Sequence, residues 1–519
     1  MRSFFRALAA VLAISLGLTG CGYSLAELDG QSLLGVAFSS KDPENTSSAP
    51  TEEGEDTPFY LPIVESDPLN PYTLETAINL SLSGLIYDTL FVVEEDFSVT
   101  PSAAVKAEEK GTLWTVTLKE GLRFSDGSEM TLADVNYSLK TAMSSGNFSS
   151  RYRNIRKTEV KDNTLRITLR NADHYFDRLL DFPIIKNKSA KENIPVGSGM
   201  YSVKVKQVTE LHKTYYLEVN ENHPSAEVLP LQQIQLVASQ DEETIIDSVR
   251  LGDISFFSTD AGNLAISNIT AVSTRSTLNH MVYLGLNLKN ELFASAEFRR
   301  ALNLILDRDE ILTRVYGEGE ASHLPVHPAF LEQIGYTPAQ PTGEIETLLA
   351  RAGLIQKNKD GIYLWQDRPL ELTILVNQDN PDRVTAARMI ARQLTSAGIG
   401  AKILELPFSQ YRDKINWRQY DLYLGEMKMS TSPNLSAFLE QGGAAYCDYE
   451  GASILLSAFQ GFSAGTLSAE TLDARFSGDC PFLPVLFRSG LVAYSRKIRT
   501  FPGGSLTSPY SKFCQWELA

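Results

Sequence analysis

The stretch that decides the fold begins at Leu370-Glu371-Leu372-Thr373-Ile374-Leu375-Val376 and ends at Tyr420-Asp421-Leu422-Tyr423-Leu424, with Ala401-Lys402-Ile403-Leu404-Glu405-Leu406 between them. These three runs are short, apolar and rich in branched side chains, as buried strands require. Between the first two, residues 381–397 place Ala386, Met389, Ile390 and Leu394 at helical spacing, and Gly398 closes the pattern. A shorter helical stretch at 408–415 separates the second run from the third. Strand, helix, strand, helix, strand calls for a parallel sheet with right-handed crossovers, an α/β arrangement. Ligands in open sheets of this kind sit beyond the carboxyl ends of the strands. The residues following Leu424 therefore become the first place to look for a site: Gly425-Glu426-Met427-Lys428-Met429-Ser430-Thr431-Ser432-Pro433-Asn434.

Upstream the pattern changes. Leu113-Trp114-Thr115-Val116-Thr117-Leu118 and Thr164-Leu165-Arg166-Ile167-Thr168-Leu169 alternate as strands do. Asp126-Gly127 marks a turn. Thr131 with Asp134 three residues on announces a helix carrying Val135, Leu139 and Met143. Trp114 and Phe124 are expected in the core of this part, because large aromatics mostly serve packing. Phe298 to Val315 reads as a packed helix, with Arg299, Arg300, Asp307 and Arg308 expected on its solvated face or in short-range ion pairs. A body of roughly 460 residues suggests about three domains.

The first residues speak of location. Arg2 and Arg6 precede an apolar run from Ala7 to about Leu18, closed by Leu18-Thr19-Gly20-Cys21. This is the pattern of a secretory signal, too short for a membrane span. It resembles the lipoprotein type, in which Cys21 would carry the lipid after cleavage at 1–20. Residues 21–57 are polar and acidic, as a flexible tether would be. A net charge of −16 sets the chain against nucleic acid and anionic lipid, leaving acyl chains to supply the membrane attachment.

Cys447, Cys480 and Cys514 remain, an odd number whose pairing sequence does not give. His323 and His327 are four apart, but Pro325 and Pro328 break any helix that would align them on a metal. No cofactor motif is evident. GxSxG, HExxH and GxxxxGK[ST] are all missing, so the chain is not expected to be an enzyme. Gly197-Ser198-Gly199 imitates a nucleophile turn without its partners, and a backbone turn is the expected reason for its glycines.

Several short stretches, in order, resemble one family. They are Asp67-Pro68-Leu69-Asn70-Pro71, Leu85-Ile86-Tyr87-Asp88-Thr89-Leu90, the run from Trp114 to Gly127, Ala133-Asp134-Val135, Pro195-Val196-Gly197-Ser198-Gly199-Met200-Tyr201, Leu286-Asn287, and Phe298-Arg299-Arg300-Ala301-Leu302-Asn303 with Asp307-Arg308. Together they are similar to the extracytoplasmic solute-binding lipoproteins of ABC importers, in the class that carries oligopeptides and dipeptides (family 5).

The resemblance implies a two-lobed periplasmic-binding-protein-like clamp of type II with an inserted α+β domain. The first lobe would comprise 58–88, 192–282 and 484–519, the insert 89–191, and the second lobe 283–483. Strands near 283–288 and 484–487 would form the hinge. A short peptide would be captured by lobe closure and delivered to a membrane permease by a monomer, lipid-anchored outside the cytoplasm. A lipid-anchored peptide sensor and a surface peptide hydrolase are the competing readings.

Candidate ligand contacts follow from the same resemblance. Tyr72, Thr73 and Glu75 lie where the family's loop borders the ligand. Peptide binders of the class carry an Asp after the strand ending near Leu424, which pairs with the peptide's α-amino group, and here Ser430 occupies about that position. A buried ammonium without a carboxylate is expensive, so the departure matters. Glu426 is the candidate substitute, Lys428 a candidate carboxylate anchor, and Met427 lies between them; a cross-lobe or same-strand salt bridge with no ligand role is the alternative. Alternation puts Glu426 and Lys428 on one face. Phe487 and Arg488 are candidates for a pocket wall and a second carboxylate anchor.

Overall fold

The strand and helix periods seen in the sequence translate into local structure with shifts of a few residues at the ends. The computed structural model describes residues 58–208, 213–239, 241–260 and 266–519. The signal-like leader, Cys21 and the acidic stretch to 57 lie outside the described residues. Glu371–Asn377 runs parallel to both Gly400–Leu406 and Leu422–Lys428, with the helix Pro381–Ser396 as one crossover and Phe408–Asn416 as the other. Asn380 caps the first of these helices by accepting from the Arg383 amide, and Pro381 occupies its first turn, where its missing N–H is harmless.

These strands belong to a seven-stranded mixed sheet: β1 (Phe256–Thr259), β2 (Ala271–Leu286), β3 (Gly319–Ala321), β4 (Glu371–Asn377), β5 (Gly400–Leu406), β6 (Leu422–Lys428) and β7 (Phe482–Ser495). Its order is β1-β7-β2-β6-β4-β5, with β3 added along β7. Two of its strands are long. β2 has 16 residues and β7 has 14, and they pair antiparallel on both sides of a slip in register between Thr277 and Met281.

Residues on the two sides of that slip serve different cores. Met281, Val282 and Leu284 with Leu483, Val485 and Leu486 join a large core built from the β4–β6 region and its helices. Ala271 with Leu491 and Ala493 joins a smaller one under the helix Glu242–Leu251. At the crossing, a Cβ on Gly490 would stand 2.8 Å from Ser276 Oγ and from the Thr259 carbonyl, so only glycine lets the strands meet there.

The N-terminal half carries two further sheets. Tyr60–Ile63, Gln233–Ala238, Lys213–Val219 and Tyr201–Gln207 form one, and Ala104–Lys110, Leu113–Leu118, Thr164–Leu169 and Ile155–Lys161 form the other. The helix Leu132–Ser144 packs on the second, started by a reciprocal capping box between Thr131 and Asp134. Trp114 and Phe124 are buried here, and the Trp114 indole donates to the Asp173 carbonyl at 3.2 Å. The last residues of the chain, Tyr510, Phe513 and Trp516, complete the same core.

Three expectations are corrected. Phe298 to Val315 is broken into Ala296–Ile305, Arg308–Ile311 and a π-turn at Leu312–Tyr316, because Ser295 and Asp307 each cap a new start. Arg299 and Arg308 are not on a solvated face. Arg299 is buried and donates to the carbonyls of Phe293, Ala294 and Asp479 at 2.8 Å each. Arg308 ties Pro484 at the start of β7 and Asn303 to its own helix. A guanidinium is the one cation with enough fixed donors to hold several carbonyls at once.

Gly197 and Gly199 need no left-handed turn. A Cβ on either would lie 2.1 Å from the Ile86 carbonyl oxygen or 2.5 Å from its carbon, so this loop packs directly on the backbone of the helix Ala77–Ile86. Cys447, Cys480 and Cys514 are free thiols. Burial pushes Cys447 and Cys480 up to about 12, which keeps them unreactive.

Candidate functional site

Where β6 ends, its loop turns into the space between the two halves of the molecule. A cleft of about 330 Å³ opens there, at the small end of the ~300–1000 Å³ typical of ligand pockets. Its floor is the register slip of β2, at Leu278, Asn279 and His280. One wall comes from the N-terminal half, through Ser83 and Gly84 of the helix Ala77–Ile86, Tyr87 just after it, and Phe148, Arg151 and Asp181 near the second N-terminal sheet. The other is Met427 to Thr431 with Ala437 and Phe438.

The loop is held from three directions. Asn279 accepts through its carbonyl from the Met429 amide at 2.7 Å, and its side chain donates to the carbonyls of Met429 and Ser430. Thr431 donates to the Arg178 carbonyl at 2.9 Å, and Ser432 donates to Asp173 at 2.8 Å. Those last two bonds join the C-terminal half to the N-terminal half across the cleft's edge. Burial raises Asp173 to about 6, against the hydrogen bonds from Ser432 and the Tyr175 amide.

Glu426 sits one pleat below the cleft. Its Oε1 accepts from Arg488 Nε at 2.9 Å and Nη2 at 2.7 Å, with His280 Nδ1 at 3.3 Å. Arg383 Nε stands 3.9 Å from the other oxygen. Burial alone would raise this carboxyl. The Arg488 charge, the His280 contact and Arg383 outweigh it and hold Glu426 well below the usual carboxylate range. Arg488 is turned to the same knot and also donates to the Asp260 carbonyl at 2.7 Å.

Lys428 is different. No ion pair or hydrogen bond holds its ammonium among the described residues. Solvent reaches it from within the cleft, yet protein surrounds the site closely. That enclosure lowers its pKa, helped by the Arg151 charge and opposed by Asp260 and Asp181. Arg151 forms an ion pair with Asp181 and lies over the rings of Phe148 and Tyr152, at 5.9 and 5.8 Å. The Asp181 Oδ1 takes that contact, while Oδ2 is buried without a hydrogen-bond partner.

Of the residues singled out from sequence, Met427 and Lys428 line the cleft. Glu426 and Arg488 pair with each other beneath it. Phe487 is fully buried and meets the His327 ring at a tilt of 56°, ring centroids 4.8 Å apart. Tyr72 is buried with its hydroxyl donating to the Pro183 carbonyl, and Thr73 and Glu75 are exposed outside the cleft lining. His327 caps the helix Pro328–Gln333 by accepting from the Ala329 amide at 3.1 Å. Sequence reasoning missed Arg151, Asp181, Asn279 and His280. None lies in a motif, and Asn279 and His280 reach the cleft only because β2 slips there.

The mixed sheet, the long crossing strands and the cleft beside them define a two-lobed binding protein of the type II periplasmic-binding fold. The chain belongs to the bacterial extracellular solute-binding proteins, family 5, whose middle-region profile matches residues 98–445. The oligopeptide-binding protein AppA of Bacillus subtilis is 26% identical over 386 residues, 68% of this chain and 70% of AppA. The glutathione-binding protein GsiB of Salmonella typhi is 25% identical over 370 residues, 66% of this chain and 68% of GsiB.

Among solved structures, Bacillus subtilis AppA in complex with a nonapeptide matches with a TM-score of 0.60 at 22% identity, covering 89% of this chain and 98% of that one. NikA from Brucella suis in complex with Fe(III)-EDTA matches with a TM-score of 0.70 at 17% identity, covering 89% and 100%. At such identities the superpositions speak for the fold alone. These relatives are solute-binding proteins rather than enzymes. No helix among the described residues is long and apolar enough to cross a membrane.

Proposed function

We propose that the protein captures a short peptide in the cleft between its lobes and delivers it, on closure, to the permease of an ABC importer, without chemical change to the solute. The observation that carries this reading is the cleft of about 330 Å³, walled by both halves and floored by the strands that join them. Closure about a few strand residues is a recurring way to bury a solute. The naming of AppA as an oligopeptide binder and GsiB as a glutathione binder favours a peptide over a bare ion.

The two lobes would be 58–88 with 192–282 and 484–519, and 283–483, with 89–191 inserted. Lipid on Cys21 would hold a monomer to the outer side of the membrane, leaving both lobes free to move. The placement of Met427 and Lys428 supports them as ligand contacts, and Arg151, Asp181 and Asn279 join them.

The test is to purify the full chain in detergent, denature it, and identify the released small molecules by mass spectrometry. A set of short peptides is expected. A single non-peptide solute would overturn the peptide while leaving the clamp.

A further inference from the structure

The cleft's charge runs opposite to that of the molecule. The chain carries −16 overall, yet the charged side chains lining the cleft are Arg151, Arg153 and Lys428 against Asp181 alone. Asp181 is already matched by Arg151. Glu426, two residues from Lys428, is matched by Arg488 and His280 and lies beneath the surface. Arg153 and Lys428 are therefore the lining cations with no ion pair to a carboxylate among the described residues. Lys428 is the one at the β6 end, where Asp260 and Asp181 reach it only at longer range and Ser430 supplies no charge.

We propose that the β6 end of the cleft receives a carboxylate of the solute, held by Lys428 with Arg151 beside it, so that a peptide lies with its C-terminus against the second lobe. An Asp in this loop would impose the reverse polarity. The inference rests on the reading of the cleft as the solute site.

An ammonium at this end would face Lys428 and Arg151, and Asp181, the carboxylate that lines the cleft, is already shared with Arg151. A carboxylate meets the free ammonium directly and leaves the Arg151–Asp181 pair in place. The pairing strengthens once a bound solute displaces water from the cleft, since opposite charges attract more strongly as water is excluded.

The probes are trialanine, its C-terminal amide and its N-acetyl form, titrated calorimetrically into the full chain and its Lys428→Met and Lys428→Arg variants. Amidation is expected to weaken binding about tenfold or more, the scale of one charge-assisted contact. N-acetylation should change it less than about threefold by the same conversion. Lys428→Met should erase the distinction between acid and amide, and Lys428→Arg should restore it. A larger loss on acetylation than on amidation would overturn the polarity while keeping the peptide.

If none of the three peptides binds, the peptide reading fails, and thermal shifts with glutarate and cadaverine decide the carboxylate separately. Stabilisation by glutarate that Lys428→Met abolishes would sustain it. Stabilisation by cadaverine, or by neither, would overturn it.

Discussion

Glu426 and Lys428 stand two residues apart on the same side of β6, and their surroundings are opposite. Glu426 is buried within the sheet with Arg488, Arg383 and His280 set against its two oxygens. Lys428 is open to the cleft and has no partner among the described residues. One charge is spent inside the protein and the other is available to a solute. A strand crossing from a lobe's interior to its mouth can thus change from scaffold to site within one pleat, and charge type alone does not say which side of that line a residue falls on.

Breaking the buried side of this contrast should have the largest effect. Glu426→Ala takes the shared carboxylate away from Arg488 and Arg383, and loss of one member of a buried ionic group costs about 3–5 kcal/mol. Urea unfolding should show that loss, while Lys428→Met stays within about 0.5–1 kcal/mol of the parent, as expected of a group reached by solvent. Equal stability for Glu426→Ala would erase the contrast.

The next test uses pH. Glu426 has a depressed pKa, so its contribution is present above the unfolded value and is lost as pH falls through the folded one. Asp173 is the reverse case, a buried carboxyl raised to about 6. Its contribution is present in full below the unfolded value of 3.8 and is lost as pH rises through about 6. Asp173→Asn should match the parent near pH 4 and melt higher at pH 7.5, by no more than about 3 kcal/mol of stability. Identical pH–stability curves for the two proteins would remove Asp173 from the account.

A smaller effect separates Lys428 from its neighbours in binding. Affinity for trialanine should fall about tenfold in Lys428→Met by the loss of one charged contact. Thr73→Ala and Glu75→Ala, both exposed outside the cleft lining, should shift affinity by less than about twofold, a surface-level change. A strong loss in either would place the solute across the first loop and enlarge the site beyond the cleft described.

The α/β character of 371–428 was legible because strand and helix periods are local, and so were the capping box of Thr131 and the burial of Trp114 and Phe124. The cleft's position beyond β6 followed from that topology. The division of labour between Glu426 and Lys428 did not, because it is made by residues far along the chain. Arg488 lies 62 positions from Glu426, and His280 lies 146. A still longer separation along the chain hid Asp181 from Lys428. Arg299 and Arg308 misled for a related reason: a helix's charged residues look solvated until the carbonyls they bind arrive from Asp479 and Pro484.

The place of β7 has a consequence for how the molecule comes into being. It lies inside the seven-stranded sheet between β1 and β2, yet it is the last of those strands to be synthesised. The aromatic residues that complete the core of the two N-terminal sheets, Tyr510, Phe513 and Trp516, follow it. Until about the final forty residues emerge, neither half can close, and the contacts they make span most of the chain, the kind that form slowly. A nascent chain of this design is therefore kept from maturing early, and a protein shortened before Phe482 would have two unfinished lobes rather than one good one.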